Sequence, residues 1–265
     1  MVNLDRTGYG AAFALYKTTD AFFPLIGAVL LGEQDGIVYA DNAVVPRQIY
    51  VEHAYGFSQI FGSSHAAFES DLERHLLIEK RFDAPKIRLY TPYLPEFLNE
   101  SKYDFQRSFR QRFLIEKMKL ASSGDAKGFE AAGVDEKNVA EIERAFGVVG
   151  RFWRSPEDFV RKANAVVALH RGQAAAICYA AAQADRRVEI DVFTLPEFRT
   201  LGVGKFAVTH FVNRCFDQSL QPLWDCFSNN AGSMQLCRSV GFNAPNPPYQ
   251  FFTINKQSLP TDELQ

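Results

Sequence analysis

A chain of 265 residues, 47% hydrophobic and with a formal charge of −2, is long enough for one large domain or two small ones and has the composition of a globular protein. Its 29 Lys and Arg against 31 Asp and Glu leave no basic stripe, so no nucleic-acid partner is expected. The longest apolar run, Ala21–Gly32, is interrupted by Pro24 and too short to span a bilayer; no membrane association and a cytoplasmic location are the corresponding expectations.

Along the chain, Gly36–Ala40 and Gln48–Ala54 read as strands around the turn Asp41–Arg47. Ala66–Glu79 reads as a helix with Phe68, Leu72, His75 and Leu76 on one face. Lys86–Tyr90 and Arg107–Ile115 are strand-like, and Tyr50, Tyr55, Phe57 and Phe61 near Gly56 are expected in the core. The small, polar stretch Ala121–Gly133 has the profile of a linker or long loop. It divides a smaller N-terminal α/β domain, 1–125, from a second domain, 126–265. No repeat at a fixed short period is present.

Beyond it, Asp135–Phe146 and Ser155–Ala163 look helical, the second opening on Ser155-Pro156 as N-cap and first residue. Ala165–His170 and Ala174–Ala181 form a hairpin around Arg171-Gly172-Gln173, and Val188–Thr194 is the next strand. The helix Gly202–Phe216, the strand Leu223–Phe227, a helix over 231–239 and a last strand over Tyr249–Ile254 complete an α/β layer on a mixed sheet. The four cysteines, Cys178, Cys215, Cys226 and Cys237, have no C-x-x-C pair and are expected as reduced, buried thiols. The five histidines do not cluster at ligand spacing, so no metal is expected.

The most informative stretch is Arg199-Thr-Leu-Gly202-Val-Gly204, between a strand and a helix on which Val208, Phe211, Val212 and Cys215 share one face. Glycines there let successive N–H groups converge on an anion at the positive end of the helix, and Lys205 adds a charge. A P-loop reading fails, because Arg199 stands five before Gly204 and Phe206 follows Lys205. A dinucleotide fingerprint fits Gly202-Val-Gly204-Lys-Phe-Ala207, with Asp225 placed for a ribose contact. It breaks because the strand stops at Leu195-Pro196, well before the glycines.

Thr194-Leu-Pro-Glu-Phe-Arg-Thr-Leu-Gly-Val-Gly204 resembles the Arg/Gln-x-x-Gly-x-Gly/Ala core of the GNAT-type N-acetyltransferases. Asn230-Ala-Gly-Ser233 and the following Gly241-Phe242 resemble that family's second helix motif, preceded in order by Leu223–Phe227. Trp224-Asp225-Cys226 and Ser233 are similar to the zwittermicin-resistance-type subgroup. The resemblance is strong over about 164–255 and implies a C-terminal GNAT acyltransferase fold, with acetyl-coenzyme A as co-substrate and a small-molecule amine as acceptor. It further implies that Phe193 and Thr194 face the pantetheine arm and carbonyl, that Arg199, Leu201, Gly202, Val203, Gly204 and Lys205 form the pyrophosphate loop, and that Asn230 and Ser233 border the arm. Family members commonly carry a tyrosine seven residues after the Asn, which protonates the leaving thiolate; here Cys237 stands there, either a weak acid or a packing residue.

Alternation over Val188–Thr194 puts Glu189, Asp191 and Phe193 on one face. Two carboxylates sharing a face of a central strand suit proton removal from an ammonium, because burial and a like neighbour raise a carboxyl's pKa. Glu189 is the first choice of base and Asp191 the second. The alternative from another class is an acyl-coenzyme A binding or sensing module without turnover, which the missing tyrosine favours. A homodimer through the N-terminal half is compatible with the sequence.

Overall fold

The computed structural model describes residues 1–19, 21–91, 94–99, 103–120 and 128–257. In chain order the elements are β1 (Val2–Asn3), α1 (Tyr9–Tyr16), α2 (Pro24–Leu30), β2 (Gly36–Ala40), β3 (Gln48–His53), β4 (Phe57–Gly62), α3 (Ala66–Glu73), β5 (Lys86–Tyr90), β6 (Gln106–Leu114), β7 (Phe129–Gly133), α4 (Val139–Phe146), α5 (Pro156–Lys162), β8 (Val166–His170), β9 (Gln173–Ala184), β10 (Arg187–Thr194), α6 (Val203–Asp217), β11 (Gln221–Phe227), α7 (Ala231–Val240) and β12 (Tyr249–Asn255). They form a mixed α/β fold in two compact units, Met1–Phe109 with Tyr249–Gln265, and Arg110–Pro248.

The first unit orders its strands β1-β2-β3-β4-β5-β12. All its pairings are antiparallel except β4 with β5, which run parallel over Phe57↔Arg88, Ser58↔Leu89 and Gln59↔Tyr90. Its core gathers Phe68, Leu72 and Leu76 of the α3 region with Ile60, Ile87, Leu89, Phe252 and Ile254. α2 is buried at every position, so its sequence shows no helical periodicity, and β4 is buried on both faces, which hides its alternation. The helix expected over Ala66–Glu79 leaves α geometry at Arg74 and continues as a π segment to Ile78.

The second unit orders its strands β6-β11-β10-β9-β8-β7, and its single parallel pair is β10 with β11. Element for element it repeats the first unit: a strand, two helices, a three-strand meander, a helix and a parallel strand. In each unit the sixth strand comes from the other half of the sequence, β12 closing the first unit and β6 the second. The expected boundary at 125/126 falls outside the described residues. Two features set the observed division: Arg110–Leu114 pair with β11, and β12 returns to β5. The linker reading of Ala121–Gly133 is corrected at its end, since Phe129–Gly133 pairs with Val166–His170 as an edge strand. Its Ala and Gly side chains are too small to display a strand's apolar alternation.

Local chemistry fixes the helices around the site. Ser155 Oγ accepts from Asp158 N at 3.2 Å with Pro156 behind it, starting α5. Asp135 Oδ1 accepts from Lys137 N and Asn138 N, so a turn precedes α4 and the helix begins at Val139 rather than at Asp135. α7 ends at Gly241, whose φ of 117° and approach to the Lys119 carbonyl leave no room for a Cβ.

Candidate functional site

β10 and β11 pair only over Arg187↔Gln221, Val188↔Pro222 and Glu189↔Leu223. Past that point β10 stays with β9 to Thr194, and β11 stays with β6 to Phe227. The sheet therefore forks at the carboxyl ends of two parallel strands, the place where open α/β sheets receive ligands.

Glu189 sits at the root of the fork. It is 5% exposed, and its Oε2 is buried with no hydrogen-bond partner among the described residues. Burial pushes its pKa up to about 7, while Arg112 and Arg110 pull it down and Asp225 and Asp191 push it further up. Asp191 is half-buried and held. Arg151 Nη1 lies 3.0 Å from its Oδ2, Tyr179 donates its hydroxyl to the same oxygen at 2.5 Å, and Val192 N donates to its Oδ1 at 3.0 Å. Tyr179 stands directly opposite Asp191 on β9, which accounts for the contact. Of the two carboxylates read from the strand, one is bound up and one is unpartnered.

Beside the fork lies the glycine loop. Pro196–Phe198 make a short turn, Thr200 and Gly202 take positive φ values of 68° and 89°, and α6 begins at Val203. A Cβ on Gly204 would stand 2.8 Å from Thr194 Oγ1, so the glycine lets the loop close back on the end of β10 with the Thr194 side chain where it is. Among the described residues, none but its chain neighbours would come within 4 Å of a Cβ at Gly202. No side chain caps α6, and the N–H groups of Val203, Gly204 and Lys205 find no acceptor among the described residues. Unclaimed donors at the positive end of a 15-residue helix, facing open space, fit a phosphate-bearing group. Arg199 and Leu201 are exposed on the loop, and Phe193 is partly buried against Phe146 of α4.

The second helix motif has a local role in the fold. Asn230 Oδ1 accepts from Ser233 N at 3.0 Å as the N-cap of α7, and Ser233 Oγ receives the Trp224 indole N–H at 3.0 Å. Cys237 is fully buried, donates to Met234 O at 3.2 Å, and burial pushes its thiol up to about 12. Trp224 and Cys226 lie on the α7 side of β11, whereas Asp225 points to the opposite side, where Arg110 Nε and Arg112 Nε reach it at 2.6 and 3.2 Å. Sequence reasoning weighed Asp225 only as a ribose contact and missed Arg110, Arg112, Arg151 and Tyr179; the arginines lie on β6 and on a connection distant in sequence, and no spacing links them to Glu189. All four cysteines are unpaired and buried. Among the described residues no group of His, Cys, Asp and Glu could hold a metal ion, and no helix is long and apolar enough to cross a membrane.

Comparison with known proteins agrees with this geometry. The family model for GNAT acetyltransferase matches residues 20–252. The uncharacterised N-acetyltransferase YdfB of Bacillus subtilis is 24% identical over 223 residues, 78% of this chain and 81% of that protein. Among solved structures, a GCN5-related N-acetyltransferase-like protein from Streptococcus suis superposes with a TM-score of 0.67 at 19% identity, covering 94% of this chain and 99% of its own. A tandem GNAT protein from the clavulanic acid biosynthesis pathway gives 0.63 at 9% identity, covering 98% and 99%. The chain belongs to the GNAT acetyltransferase family.

Proposed function

We propose that the second unit transfers the acetyl group of acetyl-coenzyme A to the amine of a small molecule, by direct attack in a ternary complex. One observation carries the reading: Glu189, a buried carboxylate with no partner, stands where two parallel strands part, beside an uncapped glycine-bearing helix start. When bound, acetyl-coenzyme A supplies the activated thioester carbonyl. The N–H groups of Val203, Gly204 and Lys205 would hold its pyrophosphate, with Arg199 and Leu201 flanking the loop, and the opened edge of β10 at Phe193 and Thr194 would receive its pantetheine arm. Glu189 takes the proton of the acceptor ammonium, directly or through a water. A carboxyl with a pKa of about 7 is matched to that task near neutral pH. Cys237 packs rather than reacts, since a thiol raised to about 12 is a poor proton donor. None is required, because an ordinary thiol with a pKa of about 8.5 is already an adequate leaving group.

The test is release of free thiol from acetyl-coenzyme A across a panel of amino acids, polyamines, aminopolyols and peptide N-termini, run beside a thermal-shift titration. Turnover with one class is expected. Stabilisation by acetyl-coenzyme A with no thiol release from any class would make the protein an acyl-coenzyme A sensor, and absence of stabilisation would remove the coenzyme from the reading.

A further inference from the structure

We propose that Asp225 is a positioning residue: it holds Arg110 and Arg112 away from Glu189, so that the carboxylate at the root of the fork stays unpaired and basic. The proposal rests on the reading of Glu189 as the base.

Two arginines next to one buried carboxylate would normally pair with it, and a carboxylate so paired is a poor base. Here they do not. Arg110 and Arg112 alternate along β6 onto the same side of the sheet, opposite Phe227 and Asp225 of β11. Asp225 takes both: Arg110 Nε donates to Oδ1 at 2.6 Å, Arg112 Nε to Oδ2 at 3.2 Å, and Arg110 Nη2 to the Asp225 carbonyl at 2.8 Å. The Arg110 guanidinium also lies over the Phe227 ring, 4.9 Å from its centre. The Asp225 side chain is completely buried, that of Arg110 is nearly so and that of Arg112 is 19% exposed, and one carboxylate receives both guanidiniums. Glu189, whose neighbourhood includes all three, is left with an unpartnered oxygen.

The charged and titratable groups around Glu189 are therefore Arg110 and Arg112 from β6, Asp225 from β11 and Asp191 from its own strand. Tyr179 of β9 and Arg151 of the α4–α5 connection stand behind Asp191 and are bound to it. Removing the charge of Asp225 leaves two guanidiniums beside Glu189 without the carboxylate that held both, and Glu189 is then the carboxylate in their neighbourhood that can take them.

Difference infrared spectroscopy of the full chain across pH reads this without any acceptor. The protonated-carboxyl band that Glu189→Gln abolishes should titrate near 7 in the parent. In Asp225→Asn its midpoint should fall by roughly one to three pH units, the effect of an opposite charge at contact distance. Loss of the Asp225 charge by itself lowers the midpoint, so the deciding comparison sets Asp225→Asn in the parent against Asp225→Asn in an Arg110→Gln, Arg112→Gln background, where no guanidinium is left to turn. The drop should be larger with the arginines present; an equal drop in the two folded backgrounds overturns the role of Asp225 as their anchor. Failure of the base reading is seen separately, as full thiol release by Glu189→Gln in the turnover assay. A band near 7 that survives Glu189→Gln would remove the titrating group itself, and the proposal with it.

Discussion

The two units share one topology and differ at the point where each parallel strand pair ends. In the second unit that position is Glu189, the last residue of β10 in register with β11, and its carboxylate is unpartnered. In the first unit the corresponding last residue is Gln59 of β4, opposite Tyr90 of β5. Gln59 is tied at both ends: its Oε1 accepts from Tyr16 Oη at 2.6 Å and its Nε2 donates to Ala21 O at 2.8 Å. Around it Phe23 stacks on Tyr90 at 3.8 Å, and Tyr16 packs on Phe22 and Phe61. The helix starts differ in the same sense. Between β4 and α3 lie only Ser63, Ser64 and His65, and the His65 ring nitrogen accepts from Phe68 N; between β10 and α6 lie eight residues, and no side chain caps the helix. At this point the same fold is thus closed over the Gln59 side chain in one unit and left open in the other, with unclaimed donors at the helix start and the unpartnered Glu189 oxygen. Function follows the open groups rather than the fold.

The largest effect expected from this difference is at the paired positions themselves. Glu189→Gln should lower turnover by roughly the 10²–10⁴-fold typical of a lost general base, with coenzyme binding kept. The deficit should shrink as pH approaches the amine's own pKa, where the acceptor is already neutral. Gln59→Glu should add no activity and should destabilise the chain by about 2–4 kcal/mol, because a carboxylate would face the Ala21 carbonyl where an amide now donates. Steady-state kinetics and denaturant unfolding of the two variants check both. A fully active Glu189→Gln moves the base to Asp191 or to water.

Two buried groups, one in each unit, answer pH with opposite sign. Between 4.5, its ordinary value, and about 7, folded Glu189 holds a proton that the unfolded chain has released, so its contribution to stability falls as pH rises through that window. His53 of the first unit is the reverse. Its Nδ1 accepts from Tyr55 N and its other ring nitrogen meets Gln34 Oε1, so the buried ring is satisfied when neutral, and burial lowers its pKa to about 4. Unfolded, it binds a proton below 6.5, and its contribution is lost as pH falls from 6.5 toward 4. Unfolding free energies measured across pH should show Glu189→Gln gaining on the parent between 4.5 and 7, by about 1.4 kcal/mol for each pH unit at most. A constant difference across that range would mean that Glu189 is already ionised at 4.5.

What the sequence disclosed follows from where the information is local. The glycine loop, α6 and the carboxylate face of β10 are written in consecutive residues, and the alternation at Glu189 and Asp191 is visible without knowing their neighbours. Of the second unit's strands, β8 and β10 were legible to within a residue, helped by the Arg171-Gly172 turn with its positive φ values, whereas β9 ends three residues later and β11 begins two residues earlier than read, and β7 was taken for linker. The duplication was not legible. Its halves share pairing order rather than residues, and Gln59 shows no kinship with Glu189 until the parallel registers are compared. The exchange of β6 and β12 was hidden for the same reason: a strand's partner is set by tertiary packing, and nothing in Gln106–Leu114 names β11. The environment that separates Asp191 from Glu189 comes from Arg151, Tyr179, Arg110 and Arg112, contacts that alternation along one strand does not encode.

The loop contrast gives the next test. Gly204→Val should push Thr194 Oγ1 away and open the turn between β10 and α6, abolishing stabilisation by acetyl-coenzyme A. For a ligand at 100 times its Kd that stabilisation is about 2.7 kcal/mol, readily seen in a thermal-shift titration. Altering His65 in the capped helix of the first unit should leave the coenzyme-induced shift intact. A folded Gly204→Val protein that is still stabilised as the parent is would dissociate the helix start from coenzyme binding.

The smallest effect is expected at Cys237, where the motif of the second unit departs from the family pattern. Its thiol is sealed beneath α7, donates to the Met234 carbonyl one turn back, and belongs to the same core as Cys226, Trp224 and Phe242. A group in that position stabilises by filling space. Cys237→Ala removes one sulfur atom from a well-packed core and should cost about 1 kcal/mol, with turnover within a few-fold of the parent and an unchanged pH profile. The pH profile makes the test sharp, because a thiol acting as acid would impose a limb of its own that the alanine variant loses, whereas packing imposes none. A Cys237→Ala protein that folds and binds coenzyme yet releases no thiol would make the sulfur part of the chemistry, and would require α7 to move far enough to uncover it.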